Sequence, residues 1–263
     1  MSDYPEKPFA AGASKGGWKT HSLARSLSAM KRLTLLIVSP ADRFYNGDLF
    51  LKLTEGDSFE RSLDQFARSF AGRGLLEDRP DVVRLLRDRA SLEQCPEGSL
   101  GRCYREFLAG AQLDEDVYTA AVKASSASET DAARAWYRER MGITHDLRHL
   151  LAGYGSDAVG EACLLTFRFA QTRHGGLLPL LLLLVLQVAI SGRLGALIPA
   201  LFEAYQRGRR GRLTDLLAWE NNLHHPLAAQ RAWLGLDAPQ HYAPSVAPDV
   251  YDAKPVGRRG AEQ

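Results

Sequence analysis

Residues 144–161, THDLRHLLAGYGSDAVGE, set two of the chain's seven histidines four apart. Asp146 follows the first directly, and Glu161 comes twelve residues after the second. On a helix, positions 145 and 149 lie one turn apart and point the same way. Two imidazoles so placed can bind one cation, the geometry that HExxH uses for zinc. Asp146 falls about 100° round the helix from His145, either as a further ligand or as a partner that orients the site. GYGSD then reads as a tight turn, with Ser156 or Asp157 capping a following helix. Glu161 lies in the first turn of that helix and faces back across the hairpin. Its surroundings, AVGEACLLTFRF, favour burial. A buried carboxylate without a partner is costly, and a metal removes the difficulty. The alternative is a pair of packing or surface histidines and a solvated first-turn acid.

Two neighbouring chemistries fit poorly. An HD-type phosphohydrolase also starts from an adjacent His-Asp pair but needs further His and Asp ligands. The distant candidates here are His174, His224 and His225, with no matching second aspartate pattern. A zincin protease needs Glu after its first His, where this chain has Asp146.

The elements that must position these groups read as helices throughout. DSFERSLDQFARSFAGRG is a helix capped by Asp57 or Ser58, with Phe59, Leu63, Phe66 and Phe70 on one stripe and glycines at its end. RPDVVRLLRDRASLEQC repeats the type, and PEGSLGRCYREFLAG is a turn followed by a short helix. ETDAARAWYRERMGITHDLRHLLAG is a long helix interrupted only by Gly142. A helix from about Asp157 to Arg173 follows, then an apolar run and several short helices to about Leu236. Leu23, Leu27, Met30 and Leu33 predict a first helix before Pro40. Alternating strand patterns are absent. The fold expected is all-α, one multi-helix domain over 21–238 with a metal-binding helical hairpin and an apolar helix region. Residues 1–20 are expected as a flexible extension and 239–263 as a loose tail.

With 263 residues, 45% apolar and 24% charged, a sizeable core is available. The 33 basic and 31 acidic residues leave a net charge of only +2, which gives no reason to expect nucleic acid. Three cysteines without a CxxC pair argue against a disulfide framework and for a reducing compartment. The heavy use of Arg, Ala and Leu suggests a bacterial source.

GGLLPLLLLLVLQVAISGRLGALIPALF (175–202) is the most apolar segment. Its clean section, Leu177 to Leu186, is short of the about 20 residues that a bilayer span needs. It reads as a core helix, or as a lipid-tail tunnel or membrane-contact helix. YQRGRRGRL puts Arg207, Arg209, Arg210 and Arg212 in a glycine-rich turn. There Arg207, Arg209 and Arg210 are candidates for phosphate or head-group contact, the alternative being a solvated basic loop. Trp219 and Glu220 read as a packing aromatic and a surface acid. Lys123, Cys163, Trp136 and Tyr137 have no claim beyond structure.

H-D-x-x-H, eleven residues, then E resembles the signature of the ubiquinone (coenzyme Q) biosynthesis family Coq4. LEQCPEGSLGRCYREFL (92–108) is similar to that family's Pro-Glu-Gly-Ser/Thr-Leu-Gly-x-x-Tyr segment, and YRERMGITHDLRH to its run into the metal motif. EACLLTFRFAQT resembles its continuation through Gln171 and Thr172. YQRGRRGRLTDLLAWENNLHHPLAAQRAWLGL resembles its basic turn, Trp-Glu pair and final Arg-x-x-Leu-Gly. The likeness runs from about residue 30 to 236. One departure is LAWENNLHHPL, where the family more often has acidic or apolar residues after Trp-Glu; it leaves His224 and His225 without an implied role.

The resemblance implies a mostly helical protein holding a divalent cation, expected as zinc, on His145, Asp146, His149 and Glu161, which are also the implied catalytic residues. It implies removal of the C1 carboxyl of a polyprenylated hydroxybenzoate and its replacement by hydroxyl; zinc has no redox chemistry, so molecular oxygen or another acceptor must supply the oxidation. The alternative it implies is a non-catalytic, lipid-binding scaffold that organises the quinone-synthesis enzymes. Four ligands bound tetrahedrally would close the shell, so catalysis requires an expanded shell or a yielding ligand. Expected partners are an isoprenoid lipid, a membrane surface met peripherally, the other quinone enzymes and further copies of this chain. The expected place is the cytoplasmic face of a bacterial inner membrane, or the matrix side of the mitochondrial inner membrane in a eukaryote.

Overall fold

The computed structural model describes residues 51–111, 115–127 and 129–244. The expected extension, the first helix around Leu23–Leu33 and residues 245–263 of the expected tail lie outside the described residues. Among the described residues the chain is helical without a strand, and the all-α expectation holds. Ser99 and Pro226 form an isolated antiparallel bridge.

The helices are α1 (Ser58–Arg68), α2 (Phe70–Asp78), α3 (Val82–Arg87), α4 (Arg89–Glu93), α5 (Leu100–Ala111), α6 (Glu115–Ser126) and α7 (Ala132–Ile143). They continue as α8 (His145–Ala152), α9 (Ala158–Thr172), α10 (Leu177–Ile190), α11 (Leu194–Arg210), α12 (Trp219–Asn222) and α13 (Leu227–Leu234). A 3-10 turn, Thr214–Leu216, joins α11 to α12. α9 is the centre: it is buried along almost its whole length, and α10 and α11 both pack on it.

Three expected helices break where short polar side chains capture the backbone. The stripe of α1 ends at Phe66, because extended Ser69 caps a new helix by accepting the Gly72 N–H at 2.9 Å. Phe70, expected on that stripe, is exposed. Asp88 splits the next helix, accepting from the Ser91 N–H at 3.1 Å. The long helix before the His motif breaks at Thr144, not at Gly142. Gly142 serves a close approach instead, since a Cβ there would stand 2.9 Å from the Val122 side chain on α6.

A row of buried arginines ties α7 and α8 to the rest. Arg138 makes a bidentate pair with Glu55 at 2.6 and 3.0 Å and meets Glu129 at 2.8 Å. Arg140 pairs with Glu220 and donates to the Leu217 carbonyl at 2.9 Å, so Glu220 is an ion-pair partner and not a plain surface acid. Fully buried Trp219 packs as expected. Arg148 grips Asp215 through Nε at 3.0 Å and Nη2 at 2.6 Å. Tyr137 donates to the other Asp215 oxygen at 3.3 Å.

Packing onto the helices continues past residue 238. Tyr242 is buried, stacks edge-on against Tyr154 and donates to Asp157 and accepts from the Gly155 N–H. No described helix is long and apolar enough to cross a membrane. The three cysteines are free, and burial pushes the Cys163 thiol up to about 12.

Burial alone would raise the Asp215 carboxyl, but Arg148 and Arg168 hold it below the usual carboxylate range. Its contribution to stability is therefore complete above that range and is lost as pH falls through the depressed value. Asp215→Ala, which leaves buried Arg148 without its counter-charge, is expected to cost about 3–5 kcal/mol in urea unfolding at neutral pH. Asp215→Asn is expected to flatten the acid limb of the stability curve, and an acid limb identical to that of the parent would contradict the assignment.

Candidate metal centre

The site is built where one short helix meets the first turn of the central one. α8 starts at His145, after Thr144 turns out of helical geometry and its hydroxyl donates back to the Arg140 carbonyl at 2.6 Å. α9 starts after Asp157, whose Oδ1 accepts the N–H groups of Val159 at 3.0 Å and Gly160 at 3.3 Å. GYGSD can fold this tightly onto α9 because residue 160 is glycine. A Cβ there would lie 2.1 Å from the Gly155 carbonyl oxygen.

That turn brings Glu161 against α8. Its Oε1 lies 3.1 Å from His149 Nε2 and its Oε2 3.5 Å from His145 Nε2. The two Nε2 atoms stand 3.1 Å apart. His149 Nδ1 lies 3.1 Å from the Tyr154 carbonyl, which can only accept. Nδ1 therefore carries a proton, and Nε2 is the ring nitrogen that faces the cluster. Phe107 of α5 stacks on the His149 ring, centroids 5.7 Å apart, and fixes its plane. Asp146 joins from α8, so that ligand atoms of His145, Asp146 and His149 all lie within 4.8 Å of one another.

Burial and charge act on these groups in opposition. Burial would raise Glu161, yet His149 and His145 outweigh it and hold the carboxyl far below its usual range. Burial likewise would lower His149, but Glu161 and Asp146 reverse that and raise it. At His145 burial wins and the imidazole is lowered; at Asp146 burial wins and the carboxyl is raised. Only His145 keeps appreciable exposure, 16% of its side chain.

These residues fit a divalent cation. In a tetrahedron, bonds of about 2.0–2.1 Å place neighbouring ligand atoms about 3.3–3.4 Å apart. The separations of 3.1, 3.1 and 3.5 Å among the two imidazole nitrogens and the Glu161 oxygens sit around that edge length. A donor set of two imidazoles and two carboxylates suits zinc and other borderline ions without selecting one.

The arginines that are candidates for phosphate or head-group contact lie apart from this cluster. Residues 207–210 are the last turn of α11 and not a loop. Arg207 is committed within the chain: it donates to the Ala152 carbonyl at 2.8 Å, and to the Asp237 carbonyl, at the far end of α8 from His145. Arg209 and Arg210 are exposed, and Arg210 bonds Gln206 on its own helix. His224 and His225 are exposed as well. Sequence reasoning missed four supports of the cluster, namely Phe107, the Tyr154 carbonyl, Tyr242 and Arg231. Arg231 reaches the Leu150 carbonyl at 2.6 Å. A backbone acceptor and a distant stacking ring leave no mark in a local pattern, and Tyr242 stands in what reads as tail.

The profile of the family described as "Coenzyme Q (ubiquinone) biosynthesis protein Coq4" matches residues 25–240. The chain belongs to the Coq4 family. That membership assigns it to ubiquinone biosynthesis, as the motif's resemblance implies. A human relative, the mitochondrial ubiquinone biosynthesis protein COQ4 homolog, is 31% identical over 190 residues, covering 70% of this chain and 68% of its own. The rat homolog is 29% identical over 188 residues, covering 70% and 68%. A Nostoc punctiforme crystal structure, of a protein assigned to ubiquinone biosynthesis, superposes with a TM-score of 0.63 at 17% identity. It covers 81% of this chain and 97% of its own, and shows that the Coq4 chain here shares its fold.

Zinc titrated into metal-free protein is expected to bind once per chain and to raise the thermal midpoint. Free cation at about a hundredfold excess over Kd stabilises by about 2.7 kcal/mol. Glu161→Gln should weaken calorimetric zinc affinity at least as much as loss of an outer partner, about 10–100-fold; undiminished affinity would remove Glu161 from the set. Gly160→Ala, which forces the turn away from α9, should also weaken binding while helix content by circular dichroism persists.

Proposed function

We propose that this Coq4 protein is a metal-dependent enzyme that removes the C1 carboxyl of a polyprenylated hydroxybenzoate and leaves hydroxyl in its place. The observation that carries the reading is the convergence of Glu161 on two imidazole nitrogens 3.1 Å apart, at the junction of α8 and α9. His145, Asp146, His149 and Glu161 would hold the cation, with zinc the expected ion. When bound, a divalent cation supplies Lewis-acid polarisation of a substrate carboxylate oxygen.

The chain's own groups set the rest. Glu161 remains ionised because two imidazoles face it, and His149 remains fixed because its Nδ1–H is given to Tyr154. Phe107 supplies an aromatic wall beside His149, suited to the face of a benzoate ring. His145 is the partly exposed member and marks the side from which the carboxylate enters. In balanced form, the acid and one water give the phenol, carbon dioxide, two protons and two electrons; molecular oxygen accepts these as hydrogen peroxide. The substrate's prenyl tail places the work at a membrane surface, among the other quinone-synthesis enzymes.

The test is carbon dioxide release from a polyprenyl hydroxybenzoate by zinc-loaded protein in oxygenated buffer. Metal-stripped protein and Glu161→Ala are expected to release none above background. Stoichiometric zinc without any release, while the variant still assembles with the other quinone enzymes, would instead identify a scaffold with a structural metal.

A further inference from the structure

Nine large hydrophobic side chains are exposed among the described residues, and seven of them stand on α10 and α11. Leu178, Leu182, Leu186 and Ile190 recur every four residues along α10, so they form one stripe. Leu182 is 60% and Ile190 89% exposed. Leu194 and Ile198 continue the pattern on α11, ending in Phe202, which is 66% exposed. Both helices pack their other sides on α9, so the two stripes lie on the outer side of one hairpin. Soluble surfaces rarely expose contiguous apolar area on this scale without a partner.

The charges say which partner. From Gly175 to Phe202 the sequence has no acidic residue and one cation, Arg193. At 100° per residue, Tyr205 and Arg209 fall within the same sector of α11 as Leu194, Ile198 and Phe202. Arg173, at the end of α9, donates to the Tyr205 hydroxyl at 2.8 Å and lies over its ring, and exposed Arg209 stands one turn further along α11. The apolar stripe thus runs into an aromatic residue flanked by two cations. A second copy docked on this face would bring cations and no acid to meet them. A bilayer with anionic head groups supplies both the apolar phase and the counter-charge. Neither helix can span it, and α10, with 14 residues, is about 21 Å long.

We propose that the α10–α11 hairpin is the face by which the protein docks on an anionic lipid bilayer, the stripes lying in the acyl boundary and Arg173 and Arg209 among the head groups. This deepens the reading of a membrane-resident substrate by assigning the surface that meets the membrane. It is separable from that reading, because docking is measured on vesicles that contain no substrate.

Full-length protein is sedimented with phosphatidylcholine vesicles, with and without phosphatidylglycerol. Binding is expected to the anionic vesicles and to decline with added salt. Leu186→Glu and Phe202→Glu should each weaken it by about tenfold or more, since each puts a charge in the apolar stripe. Arg209→Glu should cost about fivefold or more on anionic vesicles only. Phe70→Glu, exposed on α2, is the control and should change nothing. Phe202→Trp gives a second readout: its emission should be quenched by vesicles with brominated acyl chains beyond any quenching of the parent protein. Absence of vesicle binding by the parent overturns the proposal. So does unchanged binding by Leu186→Glu, whether that variant dissociates an oligomer, which would make the face a contact between copies, or destabilises the fold, which would mean that another part of the chain covers it.

Discussion

Two carboxylates and two imidazoles share one dry corner between α8 and α9, and most of the local architecture follows from keeping them there. Glu161 stands in the first turn of a helix whose neighbours Ala162, Cys163, Leu164 and Leu165 are all buried. An isolated charge in such a place would neutralise or draw in water. Its position near a helix N-terminus gives a favourable but modest field. The imidazoles give more, and their own Nε2 atoms stand 3.1 Å apart beside it. One cation would meet both acids and both bases at once, which is why this cluster reads as a candidate binding site.

An eight-residue helix cannot hold such a cluster by itself, because helices this short are marginal in water. α8 is held by its ends. Arg207 and Arg231 place cations on its last carbonyls, those of Ala152 and Leu150, where the helix dipole favours positive charge. Near its middle Arg148 reaches Asp215, and Tyr137 on α7 meets the same carboxylate. On the other side of the turn, Asp157 caps α9 and is itself held by Tyr242. Arginines spread from position 148 to 231 thus converge on one two-turn element. Removing such partners acts on the cluster through its geometry.

How much of this was legible in the sequence depends on range. The His motif, Glu161 one turn into a capped helix and the limits of α9 follow from spacing and capping chemistry, and they lie within twenty-odd residues of one another. The breaks at Ser69, Asp88 and Thr144 were missed because side-chain hydrogen bonds to the backbone, accepting N–H groups at Ser69 and Asp88 and donating to the Arg140 carbonyl at Thr144, compete with helix propensity in a way that periodicity does not register. Gly142 misled for the opposite reason: its missing Cβ serves packing on Val122 and leaves the helix intact. The basic run at 207–212 read as one patch, whereas folding assigns Arg207 to the end of α8 and leaves Arg209 outside. Exposure of α10 could not be read at all. A helix apolar on every side carries no amphipathic signal, and its pattern is the same whether it is buried in protein or turned outward.

α9 relates the cluster to the exposed hairpin. Glu161 is in its first turn and Arg173 is its C-cap, twelve residues or about 18 Å along the axis. α10 and α11 lie against the helix between those points. A ligand with a polar ring and a long apolar tail has two demands: a cation-binding corner for the ring's acid, and an apolar surface for the tail. The two ends of α9 offer one each. The same rigid, buried helix that keeps Glu161 against the imidazoles therefore also sets the height of that site above the apolar face. Changes along α9 that alter its packing against α11 should act on both, whereas changes confined to α8 should act on the cluster alone.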